Sequence, residues 1–209
     1  MIFERYQTVL AIAGMNDPAQ DRLSVLNWDG DIVLVIADGA GGLRGGAQAA
    51  QMVIDRVSAS ASRISDRQDD LGLCRLLDEI GRNIQDALGA GETTAIVAVL
   101  SEGIITGSSV GDSRAWLLFD EAEYELTSSQ SRKPLLGGGG VSTPFCAEIG
   151  SGTLVLATDG LWDYVGVEVV RQIALGESLE MAADFLVKSA RLPSGALWDD
   201  ISVVLCRSH

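Results

Sequence analysis

Histidine is almost missing from this chain of 209 residues: its one copy, His209, is the last residue. A Ser-His-Asp triad and a histidine-based zinc site are therefore excluded. Lysine is nearly as scarce, with Lys133 and Lys188 its two copies. Neither follows a glycine-rich loop, so the chain carries no nucleotide P-loop. The three cysteines, Cys74, Cys146 and Cys206, are scattered and odd in number. They read as reduced thiols, not as a disulfide framework or a zinc site.

Long apolar runs are also lacking, so no segment is expected to span a bilayer. The N-terminal Met1-Ile2-Phe3-Glu4-Arg5 has no basic region followed by a hydrophobic one, and no secretory signal is expected. Positive charge is in short supply: 15 basic against 29 acidic residues give a formal net charge of −14 and a pI of about 4.3. Binding to nucleic acid needs a basic face that displaces counterions, and none is expected here. Anionic membrane surfaces are equally poor partners. The expectation is a monomeric cytoplasmic protein, with its compact form suggesting a bacterial setting.

What is present is ordinary globular material, 47% hydrophobic and 21% charged. That composition argues against disorder, and the length suits one domain over residues 1–209. Continuous apolar runs read as buried strands: Ile32 to Ala37, Ala95 to Leu100, Thr153 to Ala157 and Ile201 to Cys206. Weaker strands are Gln7 to Ala13, Arg22 to Leu26, Ile104 to Val110 and Arg114 to Leu118. Asn27-Trp28-Asp29-Gly30 and Ser101-Glu102-Gly103 read as hairpin connections. Three helices follow from apolar spacing: one through Ala50, Val53, Ile54 and Val57, one from Leu73 to Leu88, and one from Leu179 to Leu186.

Strands, two helices, more strands, a late helix and a final strand do not alternate regularly, which disfavours a doubly wound parallel sheet. Hairpin-linked strands with segregated helices predict an α+β fold, antiparallel sheets covered by helices. The polar, glycine-rich stretch from Ser128 to Gly152 reads as a mobile loop.

The informative feature is where certain aspartates fall. Asp38 and Asp159 each directly follow a buried strand. Asp21 directly precedes the strand starting at Arg22, and Asp199 and Asp200 precede the strand starting at Ile201. Antiparallel pairing sets the end of one strand beside the start of the next, so these acids can meet on one edge. Gathered there, they would repel unless cations lay between them. Oxygen ligands of this kind select magnesium, manganese or calcium. Asp38-Gly39-Ala40-Gly41-Gly42 also runs straight from a strand towards a helix. A side chain at Gly39 would block close approach of its carbonyl to an ion.

These residues carry a resemblance to the metal-dependent Ser/Thr protein phosphatases of type 2C. Asp38-Gly39-Ala40-Gly41-Gly42-Leu43-Arg44-Gly45-Gly46 resembles the family's first metal motif. Gly91-Glu92-Thr93-Thr94-Ala95 is similar to its Gly-Thr-Thr-Ala strand, and Val110-Gly111-Asp112-Ser113-Arg114-Ala115 to its Gly-Asp-Ser-Arg hairpin. Thr158-Asp159-Gly160-Leu161-Trp162-Asp163 resembles Ser-Asp-Gly-Leu-Trp-Asp, and Trp198-Asp199-Asp200-Ile201-Ser202-Val203-Val204 its closing Asp-Asn motif. The five stand in the family's order across nearly the whole chain.

The resemblance implies a four-layer α-β-β-α sandwich with two helices on each outer face. It implies hydrolysis of phosphoserine and phosphothreonine in phosphorylated proteins, the targets of a Ser/Thr kinase. Two manganese or magnesium ions would share a bridging water, with Asp38, Asp159 and Asp199 as the catalytic acids holding them. The Gly39 carbonyl and Asp21 would complete or orient the ligand set. Asp112 would either help Asp159 hold a weaker third ion or simply cap a hairpin.

The chain also departs from the family pattern. The N-terminal Arg-x-x-Asn-Glu-Asp is matched by Asn16-Asp17-Pro18-Ala19-Gln20-Asp21, which keeps Asp21 but places Asn16 where the phosphate-gripping arginine belongs. Arg22, Arg44 and Arg132 are unranked substitutes. Ala40 stands where some members have a histidine. The flap subdomain is missing, or reduced to the loop around Gly137 to Gly140.

Other readings are weaker. Asp29-Gly30-Asp31-Ile32-Val33 matches the haloacid-dehalogenase nucleophile motif, but its strand comes after the acid pair instead of before it. Cys146 lacks the following arginine of a cysteine-dependent phosphatase. A catalytically weak module that binds phosphoproteins or regulators is the non-enzymatic alternative, which the preserved aspartates disfavour.

Overall fold

Apolar runs with no polar alternation need cover on both faces, and the fold supplies it. The computed structural model describes residues 2–3, 5–15, 19–28, 30–40, 45–60, 70–87, 89–176 and 178–208. In chain order the elements are β1 (Ile2–Phe3), β2 (Tyr6–Ala13), β3 (Arg22–Trp28), β4 (Asp31–Ala37) and β5 (Gly39–Ala40). Helices α1 (Gly45–Ser60) and α2 (Asp70–Asp86) follow. Then come β6 (Glu92–Thr93), β7 (Ala95–Ser101), β8 (Ile104–Val110), β9 (Arg114–Leu118), β10 (Glu123–Glu125), β11 (Thr143–Glu148) and β12 (Thr153–Ala157). Last are α3 (Asp159–Trp162), α4 (Val167–Ala174), α5 (Leu179–Ser189) and β13 (Ile201–Ser208).

One antiparallel sheet runs β1-β2-β13-β12-β9-β10, a second runs β11-β8-β7-β4-β3, and β5 pairs with β6. Side chains alternate between faces along a strand. Ile32, Leu34 and Ile36 of β4 therefore point at the other sheet, meeting Leu154, Leu156, Val204 and Cys206. Val33, Val35 and Ala37 point the opposite way, onto Val53 and Val57 of α1 and Leu77 and Ile80 of α2. The first sheet turns Val155, Val203 and Leu205 outward onto α3, α4 and α5. Three apolar layers thus separate four layers of structure, the α-β-β-α sandwich that the family resemblance implies, with three helices instead of the expected two on the outer face of the first sheet.

Both predicted hairpins form. Trp28 pairs with Asp31, and Gly30 takes φ 88° in the turn. Ser101 pairs with Ile104, with Glu102 and Gly103 at φ 49° and 85°, the left-handed geometry of a tight hairpin. Asp31 opens β4 within this hairpin, so the dehalogenase-type reading fails on topology; Asp29 lies outside the described residues.

The expectation for residues 128–152 needs correction. Leu135 and Leu136 are buried, and Leu136 exchanges backbone bonds of 3.0 and 3.1 Å with Thr93. Gly138 and Gly140 donate back to the Leu135 carbonyl at 3.0 and 2.9 Å. The stretch then continues into β11, an edge strand whose Phe145 lies over Gly107, where a Cβ would strike the ring. Polar composition concealed a strand with one buried anchor, and Pro144 is tolerated because the strand is at the edge. Helices α3 and α4 were also not read from the sequence.

The cysteines form no disulfide. Cys206 is buried in the core, which pushes its thiol up to about 12, and Cys74 lies 3.2 Å from the Ser108 hydroxyl. Cys206 therefore lacks the thiolate character of a nucleophile.

Candidate active site: an aspartate cluster where the sheets meet

Strand register brings the acids together. Arg22 pairs with Ala37, so one step further Asp21 faces Asp38 at the end of the second sheet. Arg114 pairs with Ala157 in the first sheet, so two steps further Asp112 faces Asp159. Asp199 and Asp200 precede β13, whose Val203 pairs with Ala157. The two sheets are joined at this end by Thr158, whose hydroxyl donates to Asp21 Oδ2 at 2.9 Å and accepts from the Ser202 N–H at 3.0 Å.

The fragments that carry the resemblance have mechanical tasks. The Asp38 carbonyl accepts from the Thr94 N–H and the Thr93 hydroxyl, both at 2.8 Å, and the Asp38 N–H donates to Thr94 Oγ1 at 3.0 Å. Thr94 Oγ1 in turn lies 2.7 Å from Ser113 Oγ, tying this grip to the residue after Asp112. Gly39 lies against the backbone of Gly46 at the start of α1. The packing supplies a reason for glycine that the sequence did not show: a side chain at Gly39 would collide with the Gly46 backbone. Gly160 plays the same part on the other side, since a Cβ there would overlap the Asp200 carbonyl.

Asp200, which stands where the family pattern has asparagine and is expected to support the ligating acids from behind, is a positioning residue. It is 2% exposed, and its Oδ1 and Oδ2 accept from the N–H groups of Met15 and Gln20 at 2.6 and 2.5 Å. It thereby pins the approach to Asp21 against the last strand. Asp200 also donates its own N–H to Asp199 Oδ1 at 2.8 Å.

The electrostatics are strained in one direction. Burial comes first among the causes that raise Asp38 to about 9, followed by the charges of Asp21 and Asp159. Burial likewise lifts Asp21 to about 7, against the lowering effect of its hydroxyl partners. Asp159 rises to about 6 through burial and then the charge of Asp112. Asp199 is raised mainly by burial. Among the described residues no basic side chain forms an ion pair with any of these four acids. Asp21 Oδ1 and Asp159 Oδ1 are buried with no hydrogen-bond partner. Buried anions without partners are costly, and a cation is what such a donor set lacks. Hard oxygen donors with no histidine fit magnesium or manganese. Among the described residues no three acids stand as a finished cage around one point; the register gives facing pairs.

The substitute arginines separate clearly. Arg22 donates to the Ala19 and Asp21 carbonyls at 2.7 Å each and to Gln51 at 2.9 Å, so it braces the Asp21 segment. Arg132 reaches Asp112 at 3.4 Å with a side chain 63% exposed. Arg44 lies outside the described residues, as do Asn16, Asp17, Pro18, Gly41, Gly42 and His209. Asp163, not singled out from sequence, adds its charge to Asp159 and pairs with Arg114 at 3.4 Å.

Comparison with known proteins bears on the family and the fold. The family model described as Protein phosphatase 2C matches residues 13–137, more than half of the chain. The chain belongs to the protein phosphatase 2C family, the metal-dependent Ser/Thr phosphatases whose motifs it carries. The serine/threonine phosphatase stp of Listeria innocua is 25% identical, over 86% of this chain and 85% of that protein. Among solved structures, Stp1 of Staphylococcus aureus matches with a TM-score of 0.83 at 21% identity, covering 99% of this chain and 95% of that one. The catalytic domain of the phosphatase PstP, in complex with two manganese ions, matches at 0.78 and 20% identity, covering 98% of both chains.

Proposed function

We propose that the chain hydrolyses phosphoserine and phosphothreonine in proteins phosphorylated by a Ser/Thr kinase, with two divalent ions, manganese or magnesium, held by the aspartate cluster. The observation that carries this reading is the set of buried carboxylates facing one another at one end of the sandwich, with no cationic side chain among the described residues paired to Asp21, Asp38, Asp159 or Asp199. The similarity to stp supports the substrate class, and the two manganese ions in the PstP complex support the ion count.

Asp38, Asp159 and Asp199 would hold the ions, with Asp21 and the Gly39 carbonyl completing or orienting the set. Bound there, divalent ions would acidify a bridging water and offset charge on the phosphoryl oxygens. The chain's own part is to fix the acids. The threonines at 93 and 94 hold the Asp38 backbone, Thr158 holds Asp21, and Asp200 holds the segment leading to it. Asp112 faces Asp159 and belongs to the same field of charge, which favours a shared weaker ion over a simple hairpin cap. Asp200 acts in this scheme as a positioning residue, its two oxygens accepting the Met15 and Gln20 N–H groups of the segment that leads to Asp21.

The test is turnover of an aryl phosphate and of a phosphothreonine peptide in manganese. Asp38→Asn and Asp159→Asn should each lose activity by about a thousandfold or more. A chelator should abolish activity and manganese restore it. Near-wild-type turnover in either mutant removes the mechanism. Phosphopeptide binding that persists in chelator, with no turnover in manganese, would instead favour a binding module.

A further inference from the structure

We propose that a two-arginine groove beside the aspartate cluster is an accessory anion subsite, selecting substrates that carry a second acidic group next to the phosphoryl removed. The proposal rests on the phosphatase reading of the neighbouring cluster. The groove has a volume of about 250 Å³, and its walls include Asp112, Arg114, Ser128, Gln130 and Arg132. Asp112 belongs to both places, since its charge also acts on Asp159. Anything seated in the groove therefore lies beside the reaction centre.

The groove is built, not improvised by a loose loop. Gln130 Nε2 donates to the Ser113 carbonyl at 2.6 Å, and Thr127 Oγ1 accepts from the Ala115 N–H at 3.1 Å. These bonds fix residues 127–130 against β9. Two arginines line the space, Arg114 from the strand and Arg132 from the segment after residues 127–130. Arg114 meets Asp163 at 3.4 Å and Arg132 meets Asp112 at 3.4 Å, each through one nitrogen. A well-formed pair would be shorter and two-pronged. Each contact engages one nitrogen of an arginine that lines the groove, with the side chains 27% and 63% exposed. By contrast, Arg22 spends its donors on Ala19, Asp21 and Gln51.

Glu125 also lines the groove, so local charge is balanced and the attraction comes from the geometry of the two forks. That suits a carboxylate or a phosphate, both of which accept paired N–H donors. In a chain with only 15 basic residues against 29 acidic ones, two arginines lining one cavity at the edge of an acidic centre are a selective feature. Either a glutamate or aspartate side chain or a second phosphorylated residue of the substrate meets the chemistry.

The experiment uses the full chain in manganese and three phosphothreonine peptides, flanked by alanine, by glutamate, or by a non-hydrolysable phosphonate residue. Both kcat/KM and equilibrium binding are measured. Wild type should favour an anionic flank over alanine by about tenfold, mainly through KM and Kd. The larger of the two preferences identifies the source of the anion. Arg132→Ala and Arg114→Ala should bring the ratio to within about twofold, and Arg132→Lys should keep part of it. Arg132 is mostly exposed, so its variants report even if Arg114→Ala folds poorly. A ratio near one in wild type, or a ratio unchanged by Arg132→Ala, overturns the groove. Absence of aryl phosphate turnover in wild type would strike the phosphatase reading instead, while the binding ratio would still decide the groove.

Discussion

Asp38 shows how a single side chain can be read from sequence and yet be understood only in the fold. The sequence places it after a buried strand, and the register then sets it opposite Asp21. Its burial and its acidic neighbours raise it from an ordinary 3.8 to about 9. The sign of the consequence follows directly. Between those values the folded chain keeps a proton that the unfolded chain has released, so metal-free stability falls as pH rises from about 4 towards about 9. Thermal unfolding in chelator should show this slope, and Asp38→Asn should flatten it and raise the midpoint near pH 8. A midpoint of the variant at or below wild type there would contradict the strained-acid picture. Asp200 is a second case, and a harder one to read. The family pattern implies asparagine there, yet here both carboxylate oxygens accept backbone N–H groups. Asp200→Asn replaces one acceptor with a donor that faces an N–H. It should cost about 1–3 kcal/mol and weaken manganese binding, as measured by denaturant unfolding and calorimetry.

Elements were legible where apolar residues ran without a break. Strands β4, β7, β12 and β13 are covered on both faces, so their sequence announces them. Strand β11 was not legible, because Phe145 is its one buried residue and glycines and a proline surround it. Helix α3 spans only Asp159–Trp162, too short for a periodic stripe, yet it carries Asp159. Its placement depends on Gly160, which allows the helix to lie against the Asp200 carbonyl. Gly160→Ala forces backbone against backbone, where no flexible side chain can give way. It should destabilise the protein by about 1–3 kcal/mol and weaken manganese binding while leaving Asp159 in the sequence. Chemical denaturation and manganese titration would check both effects; wild-type values in both would show that the close approach is not needed.

For the whole molecule, two sheets packed face to face bring their ends to one edge, and acids from distant parts of the chain meet there. The order of motifs along the sequence could predict the cluster, because each acid borders a strand. It could not predict the groove of Arg114 and Arg132, which depends on residues 127–132 folding back beside β9. Nor could it show that Arg22 braces the Asp21 segment while Arg132 stays mostly exposed beside Asp112, because Arg22 and Arg132 look alike in sequence. On the proposed function, the large negative net charge serves mostly solubility, with a few carboxylates reserved for cations. The most direct test of that division is a crystal of the chain soaked in manganese, with anomalous scattering used to locate the ions. The structure predicts manganese within coordination distance of Asp38 and Asp159. Manganese found elsewhere, with none beside either residue, would contradict it.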